Sequence, residues 1–144
     1  MKTHVGSENW NRAAAFYVRM QVFVLEREIA LQEEFDSEDK DGTVYVVLYD
    51  DGKPVATGRY KEIDSDTIRP GRIGVLKDYR KQGLGERVIK ELEKLGKENG
   101  CTKSVIHGEL TAAEFYEKLG YSRVSDVYYE DGAPCVTLNK ELID

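Results

Sequence analysis

The stretch Arg80-Lys81-Gln82-Gly83-Leu84-Gly85 joins a β-rich run, Ile68 to Leu76, to a strongly helical one. In the helical run, Leu84, Val88, Leu92 and Leu95 recur at helical spacing, while Glu86, Lys90, Glu91, Lys94 and Lys97 fall on the opposite side. A strand that becomes a helix in this way leaves the helix's first backbone N–H groups without intrahelical partners. The two glycines remove Cβ atoms that would hold a ligand off, and the helix dipole adds partial positive charge at the same end. Such a helix start suits a pyrophosphate, with Arg80 and Lys81 adding full charges, although two glycines one residue apart also fit a simple tight turn. No Gly-Lys-Ser/Thr follows, which excludes a Walker A loop. The mid-chain position and the missing third glycine exclude a dinucleotide-binding fingerprint.

Upstream, Lys2 to Val5 reads as a strand. Ser7 or Asn9 is the expected N-cap of a helix that carries Ala13, Phe16, Tyr17, Met20, Phe23 and Val24 on one face and ends near Leu25. Glu26 to Gly42 is acidic and aperiodic, hence a loop with at most a helical turn, and suited to border a cationic substrate. Thr43 to Tyr49 and Pro54 to Tyr60 flank Asp51-Gly52 as a β-hairpin, and Ile68 to Leu76 is expected to form one further strand. Downstream, Gly100 stops the long helix, Lys103 to His107 is a strand, and Thr111 caps a helix that runs through Leu119 and is stopped by Gly120. Two strands joined at Asp131-Gly132 close the chain. The fold class is α/β (α+β): a mixed, mostly antiparallel central sheet of about six to seven strands flanked by helices.

The 144 residues, 40% hydrophobic, suffice for one core, so residues 1–144 are read as a single domain. A formal charge of −6 argues against nucleic acid as partner. No leader and no apolar run near the ~20 residues of a membrane helix is present, so a cytoplasmic protein without a membrane partner is expected. Cys101 and Cys135 have neither disulfide nor zinc-ligand spacing, so no metal is expected.

Three motifs in order resemble the GNAT superfamily of N-acetyltransferases. Arg80-x-x-Gly83-x-Gly85 looks like its acetyl-CoA motif. Phe115, Tyr116, Lys118, Gly120 and Tyr121, preceded by Ala113, resemble its F-Y-x-K-x-G-F segment, with Tyr121 where Phe is usual. Arg19-x-x-Val22-Phe23-Val24-x-Glu26, then Glu34-x-Asp36 and Asp39, resembles a small-protein branch with an R-x-x-V-F-V-x-E-Q signature, Arg27 replacing the Gln. The resemblance spans almost the whole chain.

The resemblance implies direct acyl transfer from acetyl-CoA to an amine of a small molecule or peptide, within a ternary complex. Backbone around Ile73, Gly74 and Val75 is expected to bind the pantetheine arm and polarise the thioester, Gly74 marking a bulge or close approach. Gln82, Gly83, Leu84, Gly85 and Glu86 are expected to hold the pyrophosphate, assisted by Arg80 and Lys81. Tyr116 matches the acid that protonates the departing thiolate. Glu26 and Glu34 lead the possible bases, ahead of Asp36 and Glu109, against the simpler reading of a solvated acidic loop. His107 is either a base, a substrate contact or a structural histidine, and Cys135 lacks a neighbouring activator for a covalent route. A silent acyl-CoA sensor, a protein-interaction module displaying Tyr128 and Tyr129, and a homodimer remain open alternatives.

Overall fold

The structure, a computed structural model, describes residues 1–143. Strand β1 (Lys2–Gly6) leads into helix α1 (Asn9–Arg19), which continues as a π-helical segment, Met20–Glu26, before the one-turn helix α2 (Leu31–Glu34). Strands β2 (Tyr45–Asp50), β3 (Lys53–Arg59), β4 (Thr67–Ile68) and β5 (Gly71–Val75) follow, then a 3-10 turn at Lys77–Tyr79 and the long helix α3 (Leu84–Glu98). Strand β6 (Lys103–Glu109), a second 3-10 turn (Leu110–Ala112), α4 (Ala113–Lys118), β7 (Ser122–Arg123), β8 (Tyr128–Glu130) and β9 (Ala133–Glu141) complete the order. The chain forms two compact units: Met1–Lys61 with Arg72–Leu92, and Glu62–Gly71 with Glu93 and the residues after it.

The first unit contains a sheet in the order β1-β2-β3-β5, with β1, β2 and β3 antiparallel. Val18, Val22 and Phe23 from the first helical run, and Leu84, Val88 and Leu92 from α3, pack with the central strand residues Val46, Leu48, Val55 and Ala56. Burial on both faces explains why Tyr45-Val46-Val47-Leu48 is apolar without alternation. Asp51 and Gly52 both take positive φ (49° and 84°), the geometry that the tight β2–β3 turn requires.

The second unit contains the sheet β4-β6-β9-β7, with β8 also on β9; β4 is parallel to β6 and the other pairs are antiparallel. Tyr121, where the family motif usually has Phe, places its hydroxyl 2.7 Å from Ser104 Oγ and donates to Glu93 Oε2 at 2.8 Å. Lys140 Nζ completes the group, donating to Glu93 Oε1 at 3.0 Å and lying 5.6 Å from the Tyr121 ring centroid. Burial, with the Glu93 charge beside it, pushes the Tyr121 phenol far up. Tyr121→Phe is expected to cost about 1–3 kcal/mol in urea unfolding, because Ser104 and Glu93 lose a buried partner. Combining it with Ser104→Ala should cost less than the sum of the two single changes.

The structure corrects three local expectations. Helix α1 starts after Glu8, with no side-chain cap from Ser7 or Asn9. The single strand expected over Ile68 to Leu76 is two strands in different sheets, because Pro70, lacking an N–H, interrupts the ladder between them. Thr111 lies inside a 3-10 turn, so α4 begins at Ala113 after Ala112, again without a side-chain cap.

Candidate active site

In the first unit the N-terminus of α3 forms as its sequence dictates. Gly83 sits at φ +78°, and a Cβ built on it would meet nothing within 4 Å, so the space beside it is open. The Arg87 N–H donates to Gly83 O at 3.1 Å, making Gly83 the cap; the N–H groups of Leu84, Gly85 and Glu86 therefore have no partner within the helix. Lys81 also takes a left-handed φ of 66°, and Lys81, Gln82 and Gly83 are all exposed. Alternating handedness next to a helix start turns successive N–H groups inward, an arrangement suited to an anion.

Arg80 is committed elsewhere. Its Nη1 and Nη2 donate to the two Glu26 carboxylate oxygens, both at 2.7 Å, and its Nε donates to Val75 O at 3.0 Å. The Arg80 hydrogen bond holds the Glu26 carboxyl below its ordinary range, which makes Glu26 a poor proton acceptor near neutrality. A cavity of about 380 Å³ adjoins this pair, lined by Val22, Leu25, Glu26, Leu76, Lys77 and Tyr79 among others. Ile73 and Val75 are half-buried and Gly74 buried on β5.

Three acids of the Glu26–Gly42 stretch, Glu34, Asp36 and Asp39, are spent on Arg19, Arg59 and Arg72. Arg19 is fully buried; its Nε donates to Glu34 Oε2 at 2.9 Å, and its Nη1 and Nη2 donate to the Asp39 carboxylate at 2.7 and 2.9 Å. The Arg19 guanidinium also lies 4.7 Å from the Phe35 ring centroid and 5.3 Å from that of Phe16. Arg59 bonds Asp36 and Asp39, and Arg72 bonds Asp36. Burial pushes the Glu34 carboxyl up, against its bond from Arg19 and the charges of Arg72 and Arg59. Burial also opposes the Asp39 charge, but the bonds from Arg19 and Tyr45 overcome it and hold that carboxyl far below its ordinary range. The base role expected for Glu34 does not fit a carboxylate that is 4% exposed and already bonded by an arginine, and this cluster offers a cationic substrate little uncompensated charge.

The second unit holds the remaining predicted residues. Tyr116 on α4 packs edge-on to Phe115 and Tyr121, and its hydroxyl has no hydrogen-bond partner among the described residues. Burial, and then the Glu109 charge, raises its pKa, keeping the phenol protonated at neutral pH. His107 faces Thr137 across the β6–β9 ladder and meets the Tyr128 ring edge-on at 6.4 Å; burial and Arg69 lower its pKa, so it is neutral at pH 7. Cys135 is buried and its thiol is pushed up, first by burial, which suits a packing residue better than a nucleophile. Among the described residues no group of three or more His, Cys, Asp or Glu could hold a metal ion.

The sequence model of the Acetyltransferase (GNAT) family matches residues 8–121, most of the chain. The chain belongs to the GNAT acetyltransferase family. Among its relatives are YyaT of Bacillus subtilis, an uncharacterized protein 39% identical over 130 residues (89% of this chain, 87% of that one), and an uncharacterized acetyltransferase of Streptococcus pyogenes, 39% identical over 113 residues (78% and 77%). The crystal structure of a candidate N-acetyltransferase from Lactobacillus plantarum superposes with a TM-score of 0.95 at 40% identity, covering 99% of this chain and 98% of that one. An aminoglycoside 6'-N-acetyltransferase crystallised with coenzyme A shares the fold at TM-score 0.78 and 16% identity, covering 100% and 98%. Mixed, mainly antiparallel sheets flanked by helices are thus the GNAT fold.

Sequence reasoning missed Arg59 and Arg72 as members of the acidic cluster. A signal existed for Arg59: it directly follows the uncharged run Val55-Ala56-Thr57-Gly58, which is buried on β3. Such a placement calls for a carboxylate partner. Arg72 carries no comparable mark in its sequence neighbourhood.

Proposed function

We propose that this GNAT protein is a cytoplasmic, single-domain enzyme that moves an acetyl group from acetyl-CoA to an amine of a small molecule or peptide, by direct attack in a ternary complex. The observation that carries the reading is the open, glycine-capped start of α3, where the N–H groups of Leu84, Gly85 and Glu86 lack helical partners. In this reading Gln82, Gly83, Leu84, Gly85 and Glu86 hold the pyrophosphate and Lys81 adds charge. Arg80 serves mainly through Glu26 and Val75, to which it is bonded. Backbone from Ile73 to Val75 orients the thioester, and Tyr116 returns a proton to the departing thiolate. Glu26 and Glu34 act as arginine partners, so the ammonium acceptor loses its proton to water or to another group.

Calorimetric titration with acetyl-CoA tests the cradle. The parent protein is expected to bind, and a Gly83→Ala/Gly85→Ala variant to bind at least about tenfold more weakly, because alanine at a φ near +78° is strained by about 1–2 kcal/mol and projects into the open space. Absence of binding by the parent would overturn the proposed co-substrate.

A further inference from the structure

Arg72 occupies a left-handed backbone conformation (φ +52°) inside strand β5, a region where an L side chain is disfavoured. Glycine would sit there without strain, and the neighbouring residue is Gly71, yet position 72 carries an arginine. Its side chain is engaged: Nε donates to Glu34 O at 3.1 Å and Nη2 to Asp36 Oδ2 at 3.0 Å. Both anchors are themselves held, Glu34 by buried Arg19 and Asp36 by Arg59. Two residues further along β5, a Cβ on Gly74 would come within 3.2 Å of Phe23 and 3.7 Å of Val22, so the π-helical segment packs directly on the strand there. The strand's exit is fixed too: Leu76 N–H donates to Val55 O at 2.9 Å, and Val75 O accepts from Arg80 Nε at 3.0 Å.

The stretch Ile73 to Val75 is therefore gripped at one end by Arg72 and at the other by Arg80, each arginine reaching an acid of the 26–36 segment. We infer that Arg72 is a positioning residue for acyl transfer: its guanidinium, locked to Glu34 O and Asp36, holds the left-handed kink that sets the orientation of the peptide planes from Ile73 to Val75. This rests on the acetyl-CoA reading above. Rotation about the backbone at residue 72 reorients the peptide planes that follow, so releasing the guanidinium frees them to turn away.

The test follows backbone amide resonances of isotope-labelled protein during titration with acetyl-CoA, for the parent, Arg72→Ala and Arg72→Gly. The parent is expected to show shifts both at Gln82 to Glu86 and at Ile73 to Val75. In Arg72→Ala the first set is expected to persist and the second to be lost. Arg72→Gly, which reaches the kink without strain but lacks the guanidinium, should also lose the second set, and it carries the test if the alanine variant does not fold. Parent-like shifts at Ile73 to Val75 in the glycine variant would overturn the role of the side chain, whatever the alanine variant does. A parent without shifts at either set would overturn the acetyl-CoA reading instead, a result distinct from the loss of Arg72's role alone.

Discussion

Arg19→Met is expected to destabilise the protein by about 3–5 kcal/mol, because it leaves buried carboxylates without their main counter-charge. Arg19 is inaccessible to solvent, and its Nε, Nη1 and Nη2 donate to the Glu34 side chain, the Glu34 carbonyl and Asp39. Methionine fills part of the space between Phe16 and Phe35 but supplies none of these donors. Asp39 keeps Arg59 and the Tyr45 hydroxyl at 2.8 Å, so Glu34, whose other contact is Arg72, bears most of the loss. Chemical denaturation of parent and variant measures the difference; a loss under about 1 kcal/mol would mean that the carboxylates find water instead, as exposed pairs do. The pH dependence has a defined sign. Asp39, with its pKa depressed on folding, stabilises the fold above its unfolded value, and that contribution is lost as pH falls toward the folded one. Glu34, with its pKa raised, contributes in the opposite sense: its share is present below the unfolded value and is lost as pH rises through the folded one. In Arg19→Met, Asp39 is less depressed, so the stabilisation it contributes above the unfolded value is smaller and less of it is lost on acidification.

The difference between what the sequence foretells and what it hides follows from the range of the interactions. The α3 start is local: glycine at position 83, a helical period after it and a strand before it are all written within a few residues, and the structure contains that turn. The two Asp-Gly hairpins are equally local, each needing only positive φ at adjacent residues. Acids around Glu34 look like a solvated surface because nothing nearby in sequence shows their partners; Arg19, Arg59 and Arg72 approach from α1, β3 and β5, up to 38 positions away. Glu26 misleads for the same reason, since its partner Arg80 lies 54 residues on. Tyr121 was legible as a departure from the family motif, but its reason, the hydroxyl bonded to Ser104 and Glu93, exists only once α3 and β6 are in place.

Tyr116→Phe is expected to lower kcat for acetyl transfer about 10²- to 10⁴-fold, the range that a positioned general acid contributes, while leaving acetyl-CoA binding unchanged. The phenol is suited to the task by its surroundings. Burial in the second unit, with the Glu109 charge adding to it, disfavours the phenolate, so the proton is available throughout the neutral range. A donor must be protonated to act, so on the alkaline side activity should fall as pH rises through a value above the ~10 of an ordinary tyrosine, and this alkaline limb should vanish in the phenylalanine variant. The same substitution separates chemistry from architecture. Tyr121→Phe removes a hydroxyl bonded on two sides, whereas the Tyr116 hydroxyl has no hydrogen-bond partner among the described residues, so its removal should cost well under about 1 kcal/mol of stability. Release of coenzyme A thiol in the presence of an accepted amine reads the rate, and urea unfolding reads the stability. Parent-like kcat in a stable Tyr116→Phe protein would assign Tyr116 to packing against Phe115 and Tyr121 and pass the acid role to solvent.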